Sequence, residues 1–292
     1  MKFKRVLLSL PPNSSYYPGL MRAFNYLGLK VEFFDYRSLL FTEKIIARML
    51  RDSKKVTSLV NQRLIKLAKD FQPDLFFVMK GEKILPETVA AISSLGSVTV
   101  NWFPDYVNSF ELALKLSGCY DYFFHFDSLA ISQLKREGRN NVYYLPFASD
   151  VLPSDQKQLQ SKYKYVISFI GSYDNYRDKF LKNISDLRLN IWGGERWAKS
   201  LLAHCYRGGQ LPNSKFAEVS RSSKININIQ HEYPGEGLVL RPFEVLGARA
   251  FLLSETHKDG VRLFKDKVAT FTSPKDLRKK VIYFLAHDKK RE

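Results

Sequence analysis

Short apolar runs alternate with amphipathic stretches along the whole chain. The runs are bounded by glycine, proline or aspartate, as buried parallel strands often are, and several of the stretches between them repeat apolar residues at helical spacing. This alternation of strand and helix predicts an α/β fold of the doubly wound kind. The predicted strands are Arg5–Leu10, Val31–Phe34, Asp74–Met79, Val98–Phe103, Asp121–Phe126, Tyr165–Ile170, Leu187–Trp192, Lys224–Ile229 and Ala250–Leu253.

The length of the chain, 292 residues, suits two domains of about 150 residues each. A polar segment, Ser149–Lys164, has the composition of a linker between them. We therefore predict an N-terminal domain over residues 1–150 and a C-terminal domain over residues 151–292. The last helix has the clearest boundary, because Ser273 is a good N-cap residue and Pro274 fits the first helical position.

The formal net charge is +17. The excess is spread over both halves, with 20 basic and 14 acidic residues up to Asp150 and 26 against 15 after it. Nucleic acid, an anionic membrane surface, or an anionic substrate beneath a solvated basic exterior can each explain such a charge. Nucleic acid is the least supported partner, because no finger spacing, basic zipper or glycine-aromatic strand motif is present.

One strongly basic stretch, from Thr42 to about Asp70, has an interrupted apolar face and predicts a long helix. A solvated helix that covers the sheet explains this pattern. A helix that docks on anionic lipid explains it as well. The basic residues of the stretch are Lys44, Arg48, Arg51, Lys54, Lys55, Arg63, Lys66 and Lys69.

Two cysteines, Cys119 and Cys205, are the only ones in the chain. This count excludes a disulfide framework and a cysteine-based zinc site, and it fits a reducing cytoplasm. The apolar part of Met1–Leu10 is too short for a signal-peptide core. No window approaches the ~18 apolar residues of a membrane-spanning helix. We expect a cytoplasmic protein that is soluble or lies on a membrane surface.

The segment from Gly235 to Gly247 is the strongest candidate for a binding site. Glycines flank Glu236, and a helix is predicted to begin at Pro242, because the first helical position does not need an N–H group. A glycine loop that leads into a helix N-terminus favours phosphate, since free N–H groups and the helix dipole both attract an anion. Glu244, in the predicted first turn, either complements the dipole or binds a ligand.

Further candidates follow predicted strands, where open α/β sheets bind their ligands. Asp105 and His125 come at the ends of two strands of the N-terminal half. Asp105 can also be a turn residue, and His125, within an aromatic run, can simply be packed. In the C-terminal half, Gly171 and Ser172 follow a strand and Arg177 lies on the next helix, an arrangement compatible with phosphate.

The Gly235–Gly247 segment resembles the donor site of group 1 glycosyltransferases with the GT-B fold, in particular the spore-maturation-protein-like members. The matching features are the pattern Arg241-x-x-Glu244 before an apolar strand and the Glu-x7-Glu spacing from Glu236 to Glu244, which is similar to that of many retaining members. Relatives usually have a small residue, often glycine, where this chain has Arg249.

The resemblance implies two Rossmann-like domains whose parallel sheets face each other across a cleft. It implies that the protein is a hexosyltransferase that moves a sugar from a nucleotide-sugar, for example a UDP-sugar, to a glycan or lipid-linked acceptor. In this role Glu244 would bind the ribose hydroxyls, Glu236 would lie near the sugar, and Asp105 or His125 would act on the acceptor side. The other residues placed around the donor are Arg241, Gly171, Ser172, Arg177 and Gly237.

The resemblance implies neither a cofactor nor a metal, because cationic side chains and N–H groups can stabilise the leaving diphosphate and no Asp-x-Asp motif is present. It suits polysaccharide biosynthesis at the inner membrane face. One alternative is a non-catalytic nucleotide-binding or membrane-surface protein that kept the fold. Two features favour this alternative: Arg249, and the expectation that the C-terminal domain lacks the terminal helix with which relatives continue.

Overall fold

The computed structural model describes residues 3–11, 16–40, 53–105, 110–150, 163–232 and 235–291. The chain divides into two compact units, Met1–Leu145 and Pro146–Glu292. Most of the predicted linker and the first part of the predicted basic helix lie outside the described residues.

Unit 1 alternates strands with helices along the chain. Its elements are β1 (Arg5–Ser9), α1 (Tyr17–Tyr26), β2 (Lys30–Phe34), α2 (Ser53–Phe71), β3 (Leu75–Met79), α3 (Pro86–Ser93), β4 (Val98–Phe103), α4 (Phe110–Ser117), β5 (Tyr122–His125), α5 (Ser128–Arg136) and β6 (Val142–Tyr144). The strands form one parallel sheet in the order β2-β1-β3-β4-β5-β6. The direction of strand addition therefore reverses between β1 and β3, which is where such sheets bind ligands.

Unit 2 has a second parallel sheet, with strand order β12-β11-β10-β7-β8-β9. Its direction of addition reverses between β7 and β10, as in the dinucleotide-binding Rossmann fold. The elements are β7 (Tyr165–Ile170), α6 (Asn175–Leu181), β8 (Leu189–Trp192), β9 (Tyr206–Gly208), α7 (Asn213–Arg221), β10 (Ser223–Asn228), α8 (Leu240–Gly247), β11 (Leu252–Glu255), α9 (Lys258–Phe264), β12 (Ala269–Phe271) and α10 (Pro274–Ala286).

Each unit has its own hydrophobic core around its sheet. Phe76, Phe103 and Phe123 are fully buried in unit 1, and Ile167 and Ile225 are fully buried in unit 2. Each such side chain contributes about 1.5–3 kcal/mol when it is removed from water. Central strands of parallel sheets are covered on both faces, so their residues are apolar on both faces too. This is why the apolar runs predicted the strands.

Several predicted boundaries are confirmed. β4 and β7 have the predicted bounds, and the Ser273 hydroxyl caps α10 by accepting from the Asp276 N–H at 3.2 Å. The predicted start of a helix at Pro242 is wrong, because α8 begins at Leu240. Pro242 still lies in the first turn, where N–H groups have no intrahelical partner.

The strand after α8 also begins later than predicted, at Leu252 instead of Ala250. The residues between them form a tight helix C-terminus: Arg249 donates its N–H to Leu246 at 2.9 Å, and Ala250 donates to Val245 at 3.1 Å. Arg249 has a left-handed φ of 57°. This motif usually has glycine at that position.

Helix α2 is the described part of the predicted basic helix. Lys54 and Lys55 are exposed on it, whereas Leu64 and Ala68 are buried against the core. Within the described ranges, no helix combines the length and the apolar character that a bilayer crossing requires.

Candidate functional site

The point of reversal in unit 2 is bounded by two loops, one after β7 and one after β10. Arg177, on α6, ties these loops together. Its Nη1 donates to the carbonyl and hydroxyl oxygens of Ser172, at 3.0 and 2.9 Å, and its Nε donates to the Ile229 carbonyl at 3.0 Å. Arg177 is 5% exposed. Its described contacts are with protein, so its first effect is to hold both loops in place.

The glycine turn after β7 is packed against the turn after β8. Trp197 donates its indole N–H to the Gly171 carbonyl at 2.9 Å. A Cβ atom at Gly193 would lie 2.0 Å from that same carbonyl oxygen, so only glycine fits there. Gly171 thus supplies a fixed backbone turn at the carboxyl end of β7, where the sequence predicts a phosphate.

A histidine that the sequence did not indicate joins the two loops. His231 follows β10, and its Nδ1 lies 2.6 Å from Oδ2 of Asp174, while its Nε2 lies 3.4 Å from the Ser172 hydroxyl. Asp174 also caps α6 by accepting from the Arg177 N–H at 2.7 Å. Burial raises the pKa of Asp174, but the hydrogen bonds from His231 and Arg177 outweigh burial and lower it overall.

The Glu236–Gly237 loop is attached to the residues that follow β10 and β11. The Glu236 carboxylate pairs with Lys258 at 2.6 Å. The Glu236 carbonyl lies 2.6 Å from Nδ1 of His257, which follows β11. Gln230, which precedes His231 after β10, donates to the Gly237 carbonyl at 3.4 Å. The structure therefore places this predicted loop beside the point of reversal in unit 2.

Glu244 is buried in α8 and forms an ion pair with Arg241 at 2.5 Å. Its side chain is 9% exposed, against 38% for Arg241, whose guanidinium lies over the Phe216 ring at 4.7 Å. Burial raises the pKa of Glu244, although Arg241 opposes the shift. Because α8 begins at Leu240, Glu244 lies beyond the first turn, and the helix dipole falls off within that turn. The dipole interpretation is therefore the weaker one.

Arg196 is a second residue that the sequence did not single out. It follows the Gly193 turn, and its guanidinium lies over the Tyr173 ring at 4.8 Å. No carboxylate among the described residues lies within ion-pair distance of Arg196, which is exposed. This cation stands next to the loop after β7 and is available to an anion.

In unit 1, Asp105 lies beyond β4 and pairs with Lys80, which follows β3. Lys80 has a left-handed φ of 66°, a conformation that costs a non-glycine residue free energy and is enriched at functional sites. Both side chains line a pocket of about 260 Å³ together with Tyr16 and Arg37. The pocket lies at the carboxyl ends of the strands, where the fold predicts a ligand.

His125 is packed inside unit 1. It is 2% exposed, lies against the rings of Phe103 and Phe126, and accepts the Asp127 N–H at Nδ1 over 3.0 Å. Burial lowers its pKa to about 4, although Asp127 and Asp105 oppose the shift. The His125 imidazole is therefore buried and neutral, and it holds its neighbours in position. These surroundings fit the interpretation of His125 as a packed residue.

The site residues are thus brought together in two places. Unit 2 gathers Gly171, Ser172 and Arg177 at one strand end, with the Glu236–Gly237 loop beside them; Asp105 and His125 belong to unit 1. Among the described residues, no group of three histidine, cysteine or acidic side chains is arranged to hold a metal ion.

Comparison with known proteins finds a family match in the second unit. Residues 177–292 match the model of a family described as glycosyl transferase-like. No curated protein matches the chain. The matched region begins at Arg177 and contains the whole Gly235–Gly247 segment.

Solved structures match nearly the whole chain. A lipopolysaccharide outer core galactosyltransferase is similar at a TM-score of 0.62 and 11% identity, over 95% of this chain and 88% of that one. An α,α-trehalose-phosphate synthase (UDP-forming) from Burkholderia vietnamiensis gives 0.61 and 11%, over 98% and 91%. A UDP-GlcNAc 2-epimerase from Methanocaldococcus jannaschii gives 0.59 and 11%, over 97% and 91%.

Identities this low show the fold alone, and the fold hosts both transferases and an epimerase. The chain has the GT-B fold, built from two Rossmann-like domains, and its second domain matches the glycosyl transferase-like family.

Proposed function

We propose that this protein is a hexosyltransferase, close to the spore-maturation-protein-like group, that moves a sugar from a nucleotide-sugar to a glycan or lipid-linked acceptor. The observation that carries the proposal is the position of the Glu236–Gly237 loop, which Gln230 joins to the end of β10 beside the point of reversal in unit 2; the Arg241–Glu244 pair follows this loop on α8. The point of reversal is where Rossmann-like sheets bind nucleotides, and both the loop and the pair lie within the region that matches the glycosyl transferase-like family.

In this proposal the donor diphosphate lies against the turn at Gly171 and Ser172 and near the start of α8. Backbone N–H groups and cations stabilise the charge that develops on the leaving diphosphate, so no metal is needed. Arg241 is partly exposed and Arg196 is exposed, so we assign both cations to the diphosphate. Arg177 is buried and bonded to Ser172. UDP is the nucleotide that we would test first.

Glu244 accepts hydrogen bonds from the two ribose hydroxyls in this proposal. Each charge-assisted bond contributes roughly 1.5–3 kcal/mol when desolvated. Glu244→Ala should then weaken nucleotide binding by about 2–4 kcal/mol, some thirty-fold to several hundred-fold. Titration of 2′-deoxy and 3′-deoxy nucleotides checks the assignment, since the variant should lose its preference for the full ribose.

The acceptor side is assigned to the unit 1 pocket at Asp105. Asp105 and Lys80 supply an acceptor and a donor for sugar hydroxyls, and Tyr16 gives an aromatic wall. The exposed lysines of α2 would hold the protein at an anionic inner membrane face, where polysaccharide is assembled on lipid.

Isothermal titration against UDP, GDP and dTDP, and against their sugars, tests the proposal. Binding of one nucleotide with slow hydrolysis of its sugar supports a transferase. Binding without turnover favours a non-catalytic nucleotide-binding protein. Absence of binding to the whole panel would remove the proposal.

A further inference from the structure

We propose that His231 is a catalytic residue of this site. Asp174 holds its ring in place, and the imidazolium donates a hydrogen bond from Nε2 to the departing diphosphate. The inference rests on the proposed glycosyl transfer and adds a residue and a proton dependence to it. It starts from the array of Asp174, His231 and Ser172, which joins the loops after β7 and β10.

The first step is the protonation of Nδ1. Nδ1 lies 2.6 Å from Oδ2 of Asp174. An ionised carboxylate only accepts hydrogen bonds, so Nδ1 carries a proton, and Asp174 stays ionised because its hydrogen bonds lower its pKa. Nε2 is therefore the nitrogen that is left to face the Ser172 hydroxyl.

The second step is the direction of Nε2. It lies 3.4 Å from the Ser172 hydroxyl, and that hydroxyl also accepts from Nη1 of Arg177 at 2.9 Å. The His231 imidazole and the Arg177 guanidinium thus meet at the end of β7, beside the Gly171 turn. The described Arg177 donors are bonded to Ser172 and Ile229, so Nε2 of His231 is the donor that we assign to a phosphoryl group at this turn.

The same three residue types form the relay of serine hydrolases, and the geometry argues against that role. A nucleophile and its base lie within about 2.6–3.2 Å of each other, whereas the separation here is 3.4 Å. The guanidinium of Arg177 also donates to the Ser172 oxygen, so a lone pair of that oxygen is occupied. The array fits anion binding better than acyl transfer.

Three carboxylates lie around His231. Asp174 lies on Nδ1, Glu232 is next in the chain, and Glu255 accepts from the backbone N–H of Gln230, the residue before His231, at 3.0 Å. These three carboxylates all act on the hydroxyl of Tyr176 as well, so they converge on one region. The buried cation Arg177 lies beside them, with its Nε 3.6 Å from Oδ2 of Asp174. A proton on His231 adds a second positive charge where the diphosphate leaves.

In the transfer step, the bond between the anomeric carbon and the terminal phosphate oxygen breaks, and its electron pair stays on that oxygen. The acceptor oxygen forms the new bond to the anomeric carbon, and its proton passes to the departing diphosphate. His231 keeps its own proton and stabilises the oxygen that receives the electron pair. Such preorganised donors act on charge that develops in the transition state.

The test measures the affinity of the full chain for UDP, GDP, dTDP and inorganic pyrophosphate at about pH 6 and about pH 8, the range over which an imidazole changes charge. We expect His231→Gln to weaken binding of the diphosphate roughly ten-fold or more at the lower pH, and much less at the higher pH. The phosphates titrate in the same range, so each variant is compared with wild type at the same pH.

Three variants serve as controls. His204→Gln makes the same change at an exposed histidine that precedes β9, an outermost strand of the sheet. It should leave the affinities at both pH values unchanged. His231→Lys keeps a cation at both pH values and should retain binding without the pH dependence. Asp174→Asn keeps the cap of α6 but removes the charge, so the pH dependence should move to lower pH.

The outcomes separate the two proposals. If His231→Gln binds pyrophosphate and the nucleotides like wild type at both pH values, while Glu244→Ala weakens the nucleotide, the role of His231 is overturned and the transferase proposal stands. If wild type binds no nucleoside diphosphate, both are overturned. Labelling of Ser172 by a fluorophosphonate would also overturn the anion role, since it would show a nucleophilic serine.

Discussion

Substituting Arg241 and substituting Glu244 should have unequal effects on stability, although each change removes the same ion pair. The pair is asymmetric, because the Glu244 side chain is 9% exposed and the Arg241 side chain is 38% exposed. Arg241→Met therefore leaves a carboxylate buried without its partner, whereas Glu244→Gln leaves a guanidinium that water can reach. We expect Arg241→Met to be the more destabilising of the two.

The magnitudes follow from what each substitution leaves behind. An unsatisfied buried polar group costs about 1–3 kcal/mol, and more when it is charged, so Arg241→Met should lower the free energy of unfolding by about that range. Met also keeps much of the packing against Phe216. Loss of a partly exposed ion pair costs about 0–1 kcal/mol, which is the expectation for Glu244→Gln.

The pH dependence gives a second, independent signature. Burial raises the pKa of Glu244 in the folded state, so its protonated form contributes stability that is present at low pH and is lost as pH rises through the folded-state pKa. Arg241 opposes this shift. Arg241→Met should therefore raise the folded-state pKa further, and its stability deficit should be largest at neutral pH and shrink as the carboxyl becomes protonated.

Urea denaturation of wild type and both variants at about pH 4 and about pH 7 measures these differences. The double variant Arg241→Met/Glu244→Gln is the matched control, and at neutral pH it should be more stable than Arg241→Met alone. Equal losses in the two single variants, or a deficit for Arg241→Met that does not shrink in acid, would contradict the assignment of Glu244 as a buried carboxylate stabilised by Arg241.

Three further outcomes are expected. Arg249→Gly should raise the free energy of unfolding by about 0.5–1 kcal/mol in thermal or urea melts, because the left-handed conformation costs a non-glycine residue about 1–2 kcal/mol and the greater freedom of glycine in the unfolded chain offsets part of this gain; a loss of stability would contradict this. Charge reversal of Lys54 and Lys55 should weaken co-sedimentation with phosphatidylglycerol vesicles at low salt without changing nucleotide affinity; equal binding of wild type to neutral vesicles would remove the membrane role. Proton NMR of the early product should show retention of the donor's anomeric configuration, with Glu236 near the sugar; an inverted product would assign the role of general base to Asp105.

The parts of the fold that the sequence predicted are those determined by burial. β4 and β7 could be placed to the residue, because a strand covered on both faces must be apolar throughout. The turn after α8 could not, since an arginine in a left-handed conformation has no sequence signature. β9 and β12 have three residues each, too few to show a period.

The same division holds for the site. Glu236 and Glu244 stand in one continuous segment, so their spacing could be recognised. His231 and Asp174 are far apart in the chain and meet only because β7 and β10 are neighbours in the sheet. No local pattern carries that information, so it had to come from the structure.

The point of reversal in unit 2 explains why one residue links the fold to the site. β7 and β10 are adjacent, but the helices that follow them leave in different directions from the sheet, so a gap opens between the two loops. Arg177 closes that gap with hydrogen bonds to Ser172 on one side and Ile229 on the other. A lysine would offer rotatable donors on one strongly hydrated centre, whereas the planar guanidinium presents its donors in fixed directions. The buried arginine therefore fixes the separation between the Gly171 turn and His231, and a phosphate bound between them would meet donors that are already in place.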